Sequence, residues 1–231
     1  MQTESRPRRL AGAVFAAIAA VAMWLQAAPA RAQESQELVD KSRISLERLV
    51  THPDFTRLKA ALKDAHGVLV FPSILKGGFI FGAEGGSGVL LTRDAKGEWS
   101  YPAFYGMGAG SIGFQIGFQD SEAVFVINTL KGLNAVLNNN FKFGVDASIA
   151  VGPVGQGIEG STTTAVGADI EAYSKNRGLF AGGALEGAVV YERDTLNKEY
   201  YGQGATARTI TMDRQFKNAR AEGLRAAASV K

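Results

Sequence analysis

The chain has 231 residues, no cysteine, two histidines and a formal charge of +3. Without cysteine there is no disulfide and no lipid-modified cysteine anchor, and two histidines give zinc or a redox metal no ligand set, so no cofactor is expected. Residues 1–32 hold four arginines and one glutamate, so residues 33–231 balance at 21 basic and 21 acidic side chains, which argues against a nucleic-acid binder.

Residues 1–32 read as a secretory signal. Arg6, Arg8 and Arg9 make a basic start, an apolar run follows from Leu10 to Leu25, and Ala30-Arg31-Ala32 is a small-x-small cleavage pattern. The run is shorter than the roughly 20 residues that span a bilayer. Residues 33–66 read as two helices. Ser35 to Val50 carries Leu38, Ser42, Leu46 and Leu49 on one stripe, with Val39 and Val50 beside it and Lys41, Arg43, Glu47 and Arg48 off it. His52-Pro53 breaks the pattern, Asp54 offers a cap for a second helix through Ala65, and Gly67 stops it.

From Val68 the period changes to two. Val68–Phe71 reads as a strand ended by Pro72, and Phe79–Ala83 and Gly88–Thr92 as two more. Asp94-Ala-Lys-Gly97 is a hairpin turn leading into Trp99-Ser-Tyr-Pro102. Ile112 to Gln119 alternates as a strand. A helix capped by Ser121 is expected through Leu137, with Val124, Ile127, Leu130, Leu133 and Leu137 on its apolar face, ended by Asn138-Asn-Asn140. Phe141 to Val151 is the clearest alternation in the chain. Val166, Ala168, Ile170 and Ala172, then Leu179, Ala181, Leu185, Val189 and Tyr191, continue the theme. Asp213 to Ser229 reads as a charged, loosely amphipathic and partly ordered tail. Residues 33–231 hold 27 of the 28 glycines, many inside strand patterns. Strong bending or close backbone approach is the reason such usage needs. The fold class expected is α+β: a strongly curved antiparallel sheet, barrel-like or sandwich, with two N-terminal helices and one inserted helix.

Three chemical motifs fail on context. Gly108-Ala-Gly110-Ser-Ile-Gly113 fits a dinucleotide pattern, but strand-like alternation follows it where a helix must begin, and no acidic residue stands at the required offset. A Ser-His-Asp triad is formally possible, but His52 precedes a proline, His66 sits at a helix end, and no G-x-S-x-G elbow surrounds a serine. An outer-membrane barrel needs strands of about 10 residues and aromatic girdles, and several strands here are too short. No enzyme is expected. The basic residues remain. Lys59, Lys63, Lys76, Lys175 and Arg177 lie at element ends, and Lys41, Arg43 and Arg48 on the first helix. Gathered on one side they would form a headgroup patch, each cation contributing about 1 kcal/mol at an anionic surface, and the apolar helix stripe would either insert or pack on the sheet.

Several ordered motifs carry a family likeness: Phe71-Pro72, Lys76-Gly-Gly-Phe79, Gly88-Val-Leu-Leu91, Trp99-Ser100, Gly113-Phe-Gln-Ile-Gly117, Phe141-Lys-Phe-Gly-Val-Asp-Ala147, Ala150-Val-Gly-Pro-Val-Gly155, Ile170 to Phe180 and Tyr200-Tyr-Gly202. Over residues 38–205 the sequence resembles the SYLF domain family of lipid-binding proteins, as a bacterial exported member related to the yeast actin-patch proteins. The resemblance implies a non-enzymatic domain that binds membrane lipid, phosphoinositides in eukaryotic members, some of which are tied to actin patches. It places Lys76 on a family motif, and Lys41, Arg43 and Arg48 by position on an amphipathic N-terminal helix. The expected divisions are a cleaved signal at 1–32, N-terminal helices at 33–66, a β-rich body at 67–205 and a helical tail at 206–231. The expected function is anionic phospholipid binding by a periplasmic domain, peripheral on a membrane, with Phe79, Phe104 and Tyr105 as apolar contacts if they are not core. The alternative is a structural or protein-interaction module of the envelope, in which the basic residues are neutralised by Asp and Glu.

Overall fold

The computed structural model describes residues 33–78, 81–112, 117–138, 140–152, 167–174 and 188–230. These form an α+β fold around an eight-stranded sheet, ordered β5-β8-β3-β2-β1-β4-β7-β6, that curls into an open half-barrel. The strands are β1 (Gly67–Gly78), β2 (Phe81–Thr92), β3 (Ala103–Ile112), β4 (Gly117–Ile127), β5 (Phe141–Lys142), β6 (Ile149–Val151), β7 (Ile170–Ser174) and β8 (Val189–Glu192). All neighbours run antiparallel except β6 and β7.

Both faces of the sheet are covered, which explains the continuous apolar runs of its central strands. Leu69, Phe71, Leu90, Tyr105, Phe125 and Ile127 point to one side. There they meet α3 (Leu130–Leu137) and α5 (Ala207–Thr211) through Leu133, Val136 and Ile210. Val68, Val70, Val89, Leu91, Phe104, Val124 and Val126 point to the other. They meet α1 (residues 33–51), α2 (Thr56–Asp64), α4 (Asp194–Tyr201) and α6 (Glu222–Ala228) through Leu46, Leu49, Leu58, Leu62, Leu196 and Leu224. The apolar stripe of α1 therefore packs on the sheet, with Val39, Leu46 and Leu49 buried and Ser35, Ser42 and Ser45 as small residues between them. The tail docks as well: Ala221, Leu224 and Ala228 are buried.

The structure corrects several expectations. Pro72 does not end β1. The register slips between Val70 and Ser73 against β2, and between Phe71 and Ile74 against β4, so the proline sits in a bulge and the strand runs on to Gly78. Ser121 caps no helix; it pairs with Ile74 inside β4. The run Ala123-Val-Phe-Val-Ile127 is apolar on both parities and β-branched, and that favours a doubly buried strand. The helix begins only after Thr129, whose Oγ1 accepts the Gly132 amide at 3.0 Å. Phe141 to Val151 is not one strand. Gly144, at φ +77°, and Asp146, whose Oδ2 accepts the Lys142 amide at 2.7 Å, turn the chain between β5 and β6. Asp54 is not the cap of α2: His52 Nδ1 accepts the Asp54 amide at 3.2 Å in a 3-10 turn, and Phe55 occupies the N-cap without a side-chain bond. Asp213 to Ser229 is helical only from Ala219, and α4 lies within the 67–205 segment expected to be β-rich.

Other readings hold. Asp94 Oδ1 accepts the amides of Lys96 and Glu98, each at 2.9 Å, and Gly97 takes φ +84°, which closes the hairpin turn. Glycine in the strands marks close approach, as at Gly88, where a Cβ would lie 2.4 Å from the Val70 carbonyl oxygen and 2.7 Å from the Phe71 ring. Gly108 to Ile112 is strand β3. Val166, Leu179, Ala181 and Leu185 lie outside the described residues.

Candidate functional site

The helix α2 forms because Phe55, Leu58 and Leu62 recur at helical spacing and seat it on the sheet. Its opposite face carries Lys59 and Lys63, one turn apart and both exposed. Among the described residues neither is ion-paired. Arg57, on the flank of the same helix, reaches Glu171 at 3.2 Å, and Arg48 of α1 reaches Glu122 at 2.8 Å. Both acids are buried or nearly so beneath their partners, Glu171 on β7 and Glu122 on β4. Ser45 Oγ also donates to Glu122 at 2.9 Å, and the Tyr173 hydroxyl to Glu171 at 2.6 Å. Burial, then the Glu171 hydrogen bond, push the Tyr173 hydroxyl well above its ordinary range, so it stays a donor.

This arrangement recurs at α3. Lys131 of α3 is 69 % exposed while Asp169, at 2.8 Å, is 9 % exposed. Asp169 lies before β7 and also accepts Thr129 Oγ1 at 2.7 Å, Ser148 Oγ at 2.9 Å and the Ser148 amide at 3.0 Å. The Lys131 bond foremost, then Thr129, hold its carboxyl well below the usual carboxylate range. Lys76 of β1 and Glu84 of β2 face each other across the strand pair at 3.9 Å, both largely buried. Burial pushes the Glu84 carboxyl up against the pull of Lys76, and its Oε1 has no hydrogen-bond partner.

The eight cations picked out from the sequence thus part company. Lys59 and Lys63 stand together and unpaired. Arg48 lies on the neighbouring helix, exposed over its acid. Lys41 pairs with Glu37 at 2.7 Å and Arg43 with Glu47 at 2.9 Å, each along one helix, so neither leaves free charge. Lys76 is largely covered on the glycine-rich half of the sheet and paired with Glu84. Lys175 and Arg177 lie outside the described residues, as does Phe79. Phe104 and Tyr105 are core, 0 % and 1 % exposed on opposite faces of β3, because consecutive strand residues meet the two covered faces. They offer nothing to a membrane. The partners Glu122, Glu171 and Asp169 carried no sequence signal, since each meets its cation only through the tertiary fold.

Among the described residues no three His, Asp or Glu side chains assemble as metal ligands, and no helix is long and apolar enough to cross a membrane.

Comparison with known proteins gives a consistent result. Residues 108–229 match the family model described as "Ysc84: Las17-binding protein actin regulator". The "SH3 domain-containing YSC84-like protein 1" of Xenopus laevis is 39 % identical over 140 residues, 60 % of this chain and 42 % of the relative. The human protein of the same name is 36 % identical over 157 residues, 68 % of this chain and 46 % of the relative. The "LAS seventeen-binding protein 3" of Saccharomyces cerevisiae is 35 % identical over 156 residues, 66 % of this chain and 34 % of the relative. The chain spans less than half the length of these curated relatives. With the family model covering more than half of its residues, the chain belongs to the Ysc84 family, the SYLF domain family its motifs resemble.

Proposed function

We propose that the chain is a non-catalytic domain that docks on anionic phospholipid through the outer face of α2. The observation that carries this is the exposed pair Lys59 and Lys63, one turn apart, with Arg57 on the flank of the same helix and Arg48 on α1 each over a largely buried acid. Burying the acids and exposing the bases turns an electrically balanced chain into one with a locally positive side. At about 1 kcal/mol per free cation, the two lysines supply about 2 kcal/mol, with less from each paired arginine. Such docking is peripheral, reversible and salt-sensitive. The apolar stripe of α1 takes no part, because it is spent on the sheet. In this reading the leader is removed after Ala32 and the domain meets the membrane from the periplasm.

Sedimentation with vesicles tests it. Purified protein should pellet with phosphatidylglycerol vesicles at low salt and stay soluble with phosphatidylcholine. Lys59→Glu with Lys63→Glu should abolish pelleting without changing the circular dichroism spectrum. Pelleting unaffected by that pair would remove α2 as the docking face. Mass spectrometry of the protein recovered from its host should give an N-terminus at Gln33.

A second reading, a protein-interaction module, is favoured by the neutralised Lys41 and Arg43 on α1 and by the binding partner in the name of the yeast relative. It expects no vesicle association at any salt concentration.

A further inference from the structure

On the face of the sheet away from α2, an open groove of about 570 Å³ runs between α3 and β5. Its lining includes Lys131, Asn134, Asn138, Asn140, Phe141 and Asp146. The volume is within the usual range for small-molecule sites.

The chemistry of the lining is polar and uncharged in sum. Lys131 is already committed to Asp169 at 2.8 Å. Asp146 gives Oδ2 to the Lys142 amide and keeps Oδ1. The side chains of Asn134 and Asn138 make no hydrogen bond among the described residues. Each therefore presents a free donor and a free acceptor, Asn134 from within α3 and Asn138 four residues on at its C-cap. A site for an anion or a metal would carry excess charge of one sign, and this one does not.

Two residues of α3 are poor helix formers, and their reasons differ. Gly132 is required by packing, since a Cβ there would lie 2.9 Å from the Asp169 carbonyl oxygen. Asn134, in the helix interior, is disfavoured and has no partner in the fold that accounts for it. Two exposed aliphatic side chains adjoin lining residues in the chain, Leu130 before Lys131 and Val145 before Asp146. Leu130, one turn before Asn134 on its face of the helix, is 59 % exposed, and Val145, next to Asp146, is 73 % exposed. The frame is rigid: Thr129 caps α3, Asp169 ties the helix to Ser148, and Asn140 is fixed in the left-handed region at φ 64°.

Free amides and one free carboxylate oxygen, with exposed aliphatic side chains next to them in the chain, match a ligand with hydroxyls around its rim and C–H groups on its faces. We propose that the groove between α3 and β5 binds a saccharide, Asn134, Asn138 and Asp146 taking its hydroxyls and Leu130 and Val145 flanking its ring. No exposed aromatic platform is present among the lining residues, so the affinity for a single ring is in the millimolar range.

Titration of the purified, nitrogen-15-labelled protein with N-acetylglucosamine and with maltose tests this, with glycerol as the control. Saturable shifts are expected at the amides of Asn134, Asn138 and Asn140, absent with glycerol. Asn134→Ala with Asn138→Ala, which removes both amides, should weaken binding at least tenfold while leaving the circular dichroism spectrum unchanged. Asp146→Asn, which keeps the shape of the side chain, should weaken it less. Lys59→Glu with Lys63→Glu should leave it unchanged, which separates this site from the membrane reading. A second arm uses phosphatidylcholine vesicles with and without a glycosylated diacylglycerol. Pelleting only with the glycolipid, abolished by the double asparagine variant, would assign the saccharide to a lipid headgroup. Absence of saturable shifts together with absence of glycolipid-dependent pelleting overturns the proposal, as does binding that survives the double asparagine variant.

Discussion

Asp169 illustrates how one side chain ties three elements together. It accepts from Thr129 and Lys131 at the start of α3 and from Ser148 before β6, while its own amide donates to Ser148 Oγ at 2.9 Å. Its carboxyl is held below the ordinary value of 3.8, so the stability it contributes is complete above that value and is lost as pH falls toward the lowered one. Asp169→Asn should cost about 3 kcal/mol at neutral pH by urea unfolding. The difference from the parent should narrow below about pH 4; a constant difference down to pH 3 would mean that shape, not charge, is responsible. The pair of Lys76 and Glu84 behaves differently. It is buried at 3.9 Å with Glu84 Oε1 unpartnered. Lys76→Met alone should destabilise by about 3 kcal/mol, because it strands a buried carboxylate, while Lys76→Met with Glu84→Leu should return to within about 1 kcal/mol of the parent. Thermal unfolding of the single and double variants decides the point.

At the scale of the element, each covered face fixes which side of a helix or strand is apolar. Leu46 of α1 is fully buried against the sheet. Leu46→Ala should cost about 3 kcal/mol and leave vesicle association unchanged, since the stripe packs inward. If the stripe inserted into lipid, that variant would lose vesicle association in proportion to the area removed. Leu224 of α6 is buried on the same face, and Arg225 reinforces the docking by donating to the Trp99 carbonyl at 2.9 Å and lying over the Tyr101 ring at 4.5 Å. Leu224→Ala should therefore also cost about 3 kcal/mol in urea unfolding, a cost that a loosely ordered tail would not incur.

For the whole molecule, the decisive quantity is where charge sits, not how much there is. The chain carries a formal charge of only +3, all of it contributed by residues 1–32. Yet Glu122, Glu171 and Asp169 are largely buried while Arg48, Arg57 and Lys131 reach solvent. Vesicle association, where it occurs, should fall steeply between about 50 mM and 200 mM salt, because exposed charges are screened over about 10 Å at 0.1 M. Association that survives higher salt would point to apolar insertion by some other surface.

The amino-acid sequence by itself determined the α+β class, the curved sheet, the change of period at Val68, the Asp94 turn and the family, because turn chemistry, alternation and ordered motifs are local. It misread Ser121 to Ile127 because Val124, Ile127 and Leu130 fit a helical period as well as a buried strand. It misread Phe141 to Val151 because the Asp146 and Gly144 turn interrupts an otherwise regular alternation. Only the tertiary structure decided that Phe104 and Tyr105 are core, that α1 faces inward, and that Lys59 and Lys63 stand free while Lys41 and Arg43 do not. Those outcomes depend on contacts between residues far apart in the chain, and a cation's partner, like a strand's second covered face, exists only once the distant segments have come together.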